Sequence, residues 1–396
     1  MSHSILLPRT MEIGRDACQK LPEILASLGV KKPLIITDDM MVKLGYVDNV
    51  QAILKEAQIT ADVFSDTVPE PTESSITAGV SQVKSQDYDG LIALGGGSPI
   101  DSAKAISILG KFGGVIRDYK FPRQVDETGL PIIAIPTTAG TGSEVTRFTI
   151  ITDEANNEKL LCVGMGFMPI AAIIDYSLTI SVPPRTTADT GIDAMTHAIE
   201  AYISPKRNAY SDQQALAALR LIGPNIQTAY HDGKDEIARE AMMLGSTLAG
   251  IAFCNSSVAL VHGMSRPIGA FFHVPHGLSN AMLLPTITEF GISSAPDRYA
   301  DCARALGISG HSETDGQANA SLVNYLKNLN KELQVPTLEQ FGVQRADFDE
   351  LINTMCEQAF ASGSPNNNPR IPNLEEMIQL YTLLWNDNST ADGSLS

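Results

Sequence analysis

Three of the chain's seven histidines lie in one short apolar segment, HGMSRPIGAFFHVPHG at 262–277. They are His262, His273 and His276, and Arg266 is the one permanently charged residue of the segment. Clustered imidazoles are typical ligands of transition metals such as iron and zinc. The segment therefore predicts a metal site, although its spacing alone does not choose among the three histidines.

A second set of polar residues precedes this segment, in DTGIDAMTHAIEAY. Asp193, His197 and Glu200 follow the spacing i, i+4, i+7, which places them on one face of a helix. A plain amphipathic helix with a solvated polar face is the alternative interpretation. If Asp193 and His197 share an ion with histidines of 262–277, one carboxylate and three imidazoles form a set that suits Fe(II) or Zn(II).

Two glycine-rich turns predict a phosphate-binding site. In LIALGGGSPID, the backbone at Gly96 and Gly97 can approach a phosphate closely, and Ser98 is predicted as the N-cap of the next helix. The usual dinucleotide fingerprint is absent, because Ile100 stands where its third glycine would be. The second turn, PTTAGTGSEVT at 136–146, offers small hydroxyl residues to a ribose or pyrophosphate. A tight turn and an ordinary loop without ligands are the alternatives.

Length and composition exclude several classes of protein. The 396 residues suggest two domains, and 43% hydrophobic residues suit a packed globular protein. The net charge of −17 argues against a nucleic-acid or anionic-membrane partner. No apolar run approaches the ~20 residues of a membrane span, and the N-terminus lacks signal-peptide features. Five cysteines without a CxxC pair indicate reduced thiols in a cytoplasmic protein, with a nucleophilic Cys254 as an alternative.

The pattern of elements predicts a scaffold that brings these residues together. Strand-like and helical segments alternate up to a proline-bearing junction near residue 180, which predicts a parallel sheet covered by helices. Beyond the junction the pattern is helical. We therefore expect an α/β nucleotide-binding domain at 1–180 and an all-helical metal-binding domain at 181–396, with the ligand cleft between them. Strands are expected at 31–39, 61–66, 88–97 and 130–136, and helices at 40–59, 74–86, 99–110, 193–202, 212–230, 235–253 and 374–385.

Four motifs together resemble one known family. GGGSPIDSAKA, PTTAGTGSEVT, DAMTHAIEAY and HG…PHG, in this order and spacing, resemble the iron-containing (group III) alcohol dehydrogenases over essentially the whole chain. The resemblance implies the dehydroquinate synthase-like fold, a parallel-sheet α/β domain followed by a helical domain. It also implies a homodimer or a larger assembly.

The resemblance further implies which residues bind the metal and the cofactor. The family's metal ligands match Asp193, His197, His262 and His276, and not His273. Lys159 matches a lysine near the cofactor ribose, with an exposed lysine as the alternative. Asp38 falls where the family binds the adenosine ribose, and its carboxylate would accept hydrogen bonds from a 2′-hydroxyl but repel a 2′-phosphate. Asp39 adds to that repulsion. The resemblance therefore implies NAD(H) over NADP(H). The expected cofactor-binding set is Asp38, Gly96, Gly97, Ser98, Asp101, Thr137, Thr138, Thr141, Ser143 and Lys159.

One position departs from the family pattern. Many members carry a histidine four residues after the first ligand of the 262–277 segment, where this chain has Arg266. Arginine stays charged and is a poor general base, so a proton relay at this position is unfilled. One hypothesis is that Arg266 contacts a carboxylate or sulfonate on the substrate. The alternative is an internal salt bridge.

The predicted function is a metal-dependent alcohol dehydrogenase or aldehyde reductase. It would transfer hydride reversibly between NAD(H) and a small primary alcohol or aldehyde, in a cleft lined by Phe148, Phe253 and Phe272. A hydroxyacid–oxoacid transhydrogenase with tightly held NAD is the alternative. A lyase-type cyclase of the same fold is less favoured, because the segment around 250–280 carries only one permanently charged residue. A non-catalytic metal-binding protein is also less favoured, because both cofactor turns and the ligand set are complete.

Overall fold

Six parallel strands form the central sheet, in the order β1-β8-β5-β4-β2-β3, and two further strands form an antiparallel hairpin. The structure is a computed structural model that describes residues 2–385. The sheet strands are β1 Thr10–Ile13, β2 Pro33–Ile36, β3 Asp62–Phe64, β4 Gly90–Gly95, β5 Ile132–Pro136 and β8 Ala171–Ile174, and the hairpin strands are β6 Phe148–Asp153 and β7 Glu158–Val163.

The sheet is buried on both faces. Along β4, Leu91 and Ala93 join the core on one side, whereas Ile92 and Leu94 join the core on the other. Such strands are typical of parallel sheets covered by helices. The covering helices are α1 Leu21–Leu28, α2 Asp39–Lys43, α3 Tyr46–Glu56, α4 Glu73–Ser85 and α5 Gly97–Phe112.

Two local expectations were wrong. The helix expected over 40–59 is two helices, because Gly45 lies between them with a left-handed φ of 77°. Helix α5 begins one residue before the predicted N-cap: Gly96 is the N-cap, and the Ser98 hydroxyl instead accepts a hydrogen bond from the backbone N–H of Glu70 (3.2 Å). The sequence pattern also missed the hairpin β6–β7, which pairs Thr152 with Lys159.

Helices make up the chain beyond the sheet, and they share one large apolar core. The predicted fold class, a parallel-sheet α/β part followed by a helical part, is confirmed. The last sheet strand ends at Ile174 and the first long helix begins at Pro184, and we keep the domain boundary near residue 180 as a proposal. These helices are α6 Pro184–Ile203, α7 Ala209–His231, α8 Glu236–Cys254, α9 Leu260–Phe272, α10 His276–Ile292, α11 Pro296–Ala305, α12 Asp315–Glu332, α13 Leu338–Phe341, α14 Arg345–Ala361 and α15 Leu374–Leu383.

One described helix, α8, is long and apolar enough to span a membrane. It has 19 residues, and 72% of the apolar window is buried inside the protein. Such burial is typical of a core helix.

Glycines bring the second glycine-rich turn into close contact with the helical part. A Cβ added at Gly142, where φ is +61°, would lie 2.6 Å from the Cα of Gly250 on α8. A Cβ added at Gly140 would lie 2.5 Å from the Cβ of Thr190 on α6. Because glycine has no side chain, the turn can lie directly against the two helices at both places.

Candidate metal centre and cofactor cleft

Four predicted ligands converge from three helices. Asp193 and His197 lie on α6, His262 lies in the first turn of α9, and His276 begins α10. The Oδ1 atom of Asp193 is 3.5 Å from Nε2 of His262, 3.8 Å from Nε2 of His276 and 3.9 Å from Nε2 of His197. The Nε2 atoms of His197 and His262 are 2.9 Å apart.

These separations fit a small transition-metal ion. Metal–ligand bonds of about 2.0–2.2 Å place tetrahedral ligand atoms roughly 3.4 Å apart, and one ligand atom each of Asp193, His262 and His276 lie within 4.8 Å of one another. Asp193, His197 and His262 are buried, whereas the His276 side chain is 29% exposed. The centre therefore opens to the cleft on the side of His276.

The protonation states of Asp193, His197 and His276 suit metal binding. Burial alone would raise the pKa of Asp193, but the surrounding histidines hold it below its ordinary value. Burial lowers the pKa of His197 to about 3, and it also lowers the pKa of His276. Burial alone would lower the pKa of His262 too, but the carboxylates of Glu200 and Asp193 hold it above its ordinary value, so a metal would have to displace a proton there. An ionised carboxylate and unprotonated imidazoles are the forms that bind a metal.

Glu200 orients one of the ligands, a role that its spacing on α6 did not reveal. Its buried carboxylate accepts hydrogen bonds from the backbone N–H groups of Ala259 (2.7 Å) and Val261 (2.6 Å). It also lies 2.7 Å from Nδ1 of His262. Helix α9 has no side-chain cap of its own, so Glu200 caps α9 and directs Nε2 of His262 toward the other ligands.

Asn280 is a further residue of the centre that the sequence analysis missed. It follows His276 by one turn of α10, and its buried side-chain amide donates to Oδ1 of Asp193 (2.7 Å). The same nitrogen is 3.2 Å from Nε2 of His262 and 3.3 Å from Nε2 of His276. The i, i+4 spacing from His276 was the available signal.

A cleft of about 710 Å³ leads from the metal ligands to the glycine-rich turns. Its wall includes Gly97 and Ser98 at the start of α5, whose first N–H groups lack partners within the helix. A Cβ at Gly97 would lie 2.8 Å from Cγ2 of Thr141, and a Cβ at Gly96 would lie 3.3 Å from Oγ1 of Thr138. The two glycines thus let the two glycine-rich turns pack closely, and Gly97 and Ser98 present a helix N-terminus to the cleft, which suits a pyrophosphate.

A buried lysine ties the two glycine-rich turns together. Lys104 on α5 donates to Ser143 Oγ (2.8 Å) and to the Phe148 carbonyl (2.7 Å). Asp101 accepts hydrogen bonds from Ser143 Oγ (2.6 Å) and from the backbone N–H of Ile150 (3.0 Å). Burial lowers the pKa of Lys104 to about 8. Asp101 and Ser143, both predicted to bind cofactor, line the cleft and also hold its wall in place.

The structure brings some of the predicted cofactor residues together and leaves others outside the cleft. Lys159 lines the cleft with an 8% exposed side chain and binds Glu70 (2.5 Å), so it is not an exposed lysine. Asp38 caps α2 by accepting from the Met41 N–H (2.9 Å) at the carboxyl end of β2. The residues of the set that line the cleft are Gly97, Ser98, Asp101, Thr141, Ser143 and Lys159, and those outside its lining are Asp38, Gly96, Thr137 and Thr138.

Three neighbouring expectations have clear outcomes. His273 is exposed and ends α9 with a left-handed φ of 55°, so it does not join the cluster. Phe148 and Phe253 line the cleft, but Phe272 does not and stacks on Phe348 instead. Cys254 is buried, and burial raises its pKa, which argues against a nucleophilic thiolate.

Comparisons with known proteins agree with this arrangement. Residues 8–176 match the family described as iron-containing alcohol dehydrogenase, and residues 187–385 match its C-terminal part. The chain is 34% identical to the NADPH-dependent butanol dehydrogenase of Clostridium saccharobutylicum, over 96% of this chain and 97% of that protein.

Two solved structures share the fold over nearly their whole length. A 1,3-propanediol oxidoreductase has a TM-score of 0.92 and 32% identity, covering 97% of this chain and 100% of that one. The sulfoacetaldehyde reductase of Bifidobacterium kashiwanohense, in complex with NAD+, has a TM-score of 0.86 and 26% identity, covering 97% and 99%. The four motifs, the fold and the matches agree, and the chain belongs to the iron-containing alcohol dehydrogenase family.

Proposed function

We propose that this enzyme reduces a small aldehyde to its primary alcohol, reversibly, with NAD(H) and Fe²⁺ held by Asp193, His197, His262 and His276, a site that would also accept Zn²⁺. The observation that carries the proposal is the convergence of these four side chains beside a cleft whose other end is a glycine-lined helix N-terminus. The names of the relatives above support the class of substrate.

The chain's own residues prepare this chemistry. When bound, the metal supplies Lewis acidity toward the substrate oxygen and the nicotinamide carries the hydride. Burial keeps His197 unprotonated, and Glu200 orients His262. Phe253 stacks on His197 with ring centroids 4.3 Å apart, and this apolar wall excludes water beside the ligands.

The test is aldehyde-dependent oxidation of NADH by protein reconstituted anaerobically with Fe(II). We expect turnover that is lost on metal removal and in His276→Ala, with metal content measured alongside. His273→Ala is the matched control, because His273 lies in the same segment and is exposed. Metal-loaded protein that exchanges hydride between two substrates, without turning over free NADH, would replace the proposal with the transhydrogenase.

Asp38 is proposed to set the preference for NAD(H). Its Oδ1 caps α2, and Oδ2 has no hydrogen-bond partner among residues 2–385, so the carboxylate can meet the adenosine ribose. Asp38→Asn keeps a capping side chain but removes the charge, and we expect the ratio of kcat/KM for NADPH to that for NADH to rise about tenfold.

Asp39→Asn is the control for this prediction. Asp39 is exposed and pairs with Lys43 at 2.6 Å, so its removal should change the ratio much less. An unchanged ratio in Asp38→Asn would place the coenzyme preference elsewhere.

We also propose a cytoplasmic enzyme that assembles as a homodimer or a larger oligomer and acts on small molecules, without a nucleic-acid or membrane partner. The net charge of −17 argues against a nucleic-acid or anionic-membrane partner. Light scattering of the purified protein tests the assembly.

A further inference from the structure

Among residues 2–385, Arg266 is a cleft cation without a counter-ion. It follows His262 by one turn of α9, so the two side chains share a face of the helix, and both line the cleft. Within residues 2–385 it forms no ion pair with any carboxylate, which removes the internal salt bridge as an explanation. In the part of the chain that the structure describes, its one hydrogen bond runs from Nη1 to the hydroxyl of Ser364 (2.9 Å), and its buried Nε has no partner.

The acidic groups around the cleft are already engaged. Glu70 pairs with Lys159, Asp101 accepts from Ser143 and Ile150, and Asp193 belongs to the metal centre. Glu200 has a Coulombic attraction to Arg266, but its carboxylate oxygens contact the backbone of α9 and the imidazole of His262. The guanidinium is half-buried, and it keeps unused donors, including a buried Nε, that an anion from outside the protein would satisfy.

The local packing holds the guanidinium in place. A Cβ at Gly263 would lie 2.8 Å from Cδ of Pro365, so this glycine lets the segment that carries Ser364 approach α9. Ser364 is buried, and its hydroxyl fixes Nη1. One N–H is therefore used for positioning, which leaves the rest of the planar fork for a ligand.

We infer that Arg266 binds a terminal carboxylate or sulfonate of the aldehyde, so that the preferred substrates are short anionic aldehydes whose carbonyl reaches the metal centre. This inference rests on the proposed function. Side chains one helical turn apart have Cβ atoms about 5–6 Å apart, which suits a substrate with only a few carbons between its two ends.

The kinetic test uses pairs of aldehydes of similar size: succinate semialdehyde with butanal, and sulfoacetaldehyde with propanal. In Arg266→Gln we expect KM for the anionic aldehydes to rise roughly 10- to 100-fold, because a charged hydrogen bond is lost. The kcat/KM for butanal and propanal should change less than about threefold, which also shows that the variant is folded. Arg266→Lys should fall between, since it keeps the charge without the fork. The anionic aldehyde whose KM rises more in Arg266→Gln shows whether Arg266 prefers a carboxylate or a sulfonate.

Lys206→Gln is the matched control, because Lys206 is an exposed cation at the same cleft. If the cleft attracted anions only through its overall charge, KM for the anionic aldehydes would rise equally in Lys206→Gln and Arg266→Gln, and that result would overturn the inference. An equal loss of kcat/KM for neutral and anionic aldehydes in Arg266→Gln would also overturn it. A second readout needs no turnover: propanesulfonate should bind metal-free wild-type protein more tightly than Arg266→Gln by a similar factor, by calorimetry. Failure of wild type to reduce any aldehyde refutes the proposed function, whereas the calorimetric comparison still decides the role of Arg266.

Discussion

Replacing Asp193 by asparagine is expected to lower metal affinity by at least about 100-fold and kcat by about 1,000-fold. Asp193 is the one carboxylate among the four proposed ligands, and burial would raise its pKa, but the histidines keep it below the ordinary value. Without it, three imidazoles would hold a divalent ion with no negatively charged ligand. Metal content and steady-state reduction of an aldehyde measure the two effects.

The same substitution should leave the metal-free protein folded. The asparagine oxygen can still accept the hydrogen bond that Asn280 donates to Asp193, so we expect the Tm of the apoprotein to change by only a few degrees. Asp189→Asn is the control, since Asp189 lies one turn earlier on α6 and pairs with Arg185 at 2.5 Å. Equal metal loss in both variants would contradict a ligand role for Asp193.

Replacing Glu200 by glutamine is expected to reduce metal affinity about 10- to 100-fold and the free energy of unfolding by about 2–4 kcal/mol. The carboxylate accepts from Ala259, Val261 and His262. A glutamine amide turns one of its two acceptors into a donor, which leaves an N–H group of α9 or Nδ1 of His262 unpaired in a buried place.

Chemical denaturation of apoprotein and metal titration of the same variant separate the two parts of this effect. Glu289→Gln provides the comparison, because Glu289 is exposed on α10 and pairs with Lys327 at 3.0 Å. Exposed pairs contribute about 0–1 kcal/mol. If metal affinity in Glu200→Gln equals that of wild type, Glu200 acts only on the stability of α9 and does not tune the ligand.

Local spacing predicted part of the proposed metal centre. The i, i+4 relation of Asp193 and His197 follows from helix geometry alone. The choice of His262 and His276 over His273 came from the family resemblance, and the structure gives a physical basis, since His273 ends α9 in a left-handed conformation and is exposed. The role of Glu200 depends on contacts about 60 residues away along the chain, which no local pattern contains.

The isolation of Arg266 could not be predicted, because the absence of a salt bridge is a property of the folded chain. The start of α5 was misplaced for a similar reason. Ser98 is a good N-cap by type, but its hydroxyl has a partner in the Glu70 backbone, and glycine takes the capping position. The hairpin β6–β7 was not predicted. Strand β6 alternates buried and half-buried residues, whereas the predicted strands of the parallel sheet are continuous apolar runs.

The contact of Gly142 with Gly250 has a consequence for how coenzyme enters and leaves. Because the two backbones meet without side chains between them, sliding one past the other would bring their atoms into steric overlap. A hinge motion that opens the cleft would therefore turn about this point. Thr141 and Ser143, on either side of this contact, would move least, so the proposed pyrophosphate site would keep its position relative to α8 while the far rim of the cleft moves.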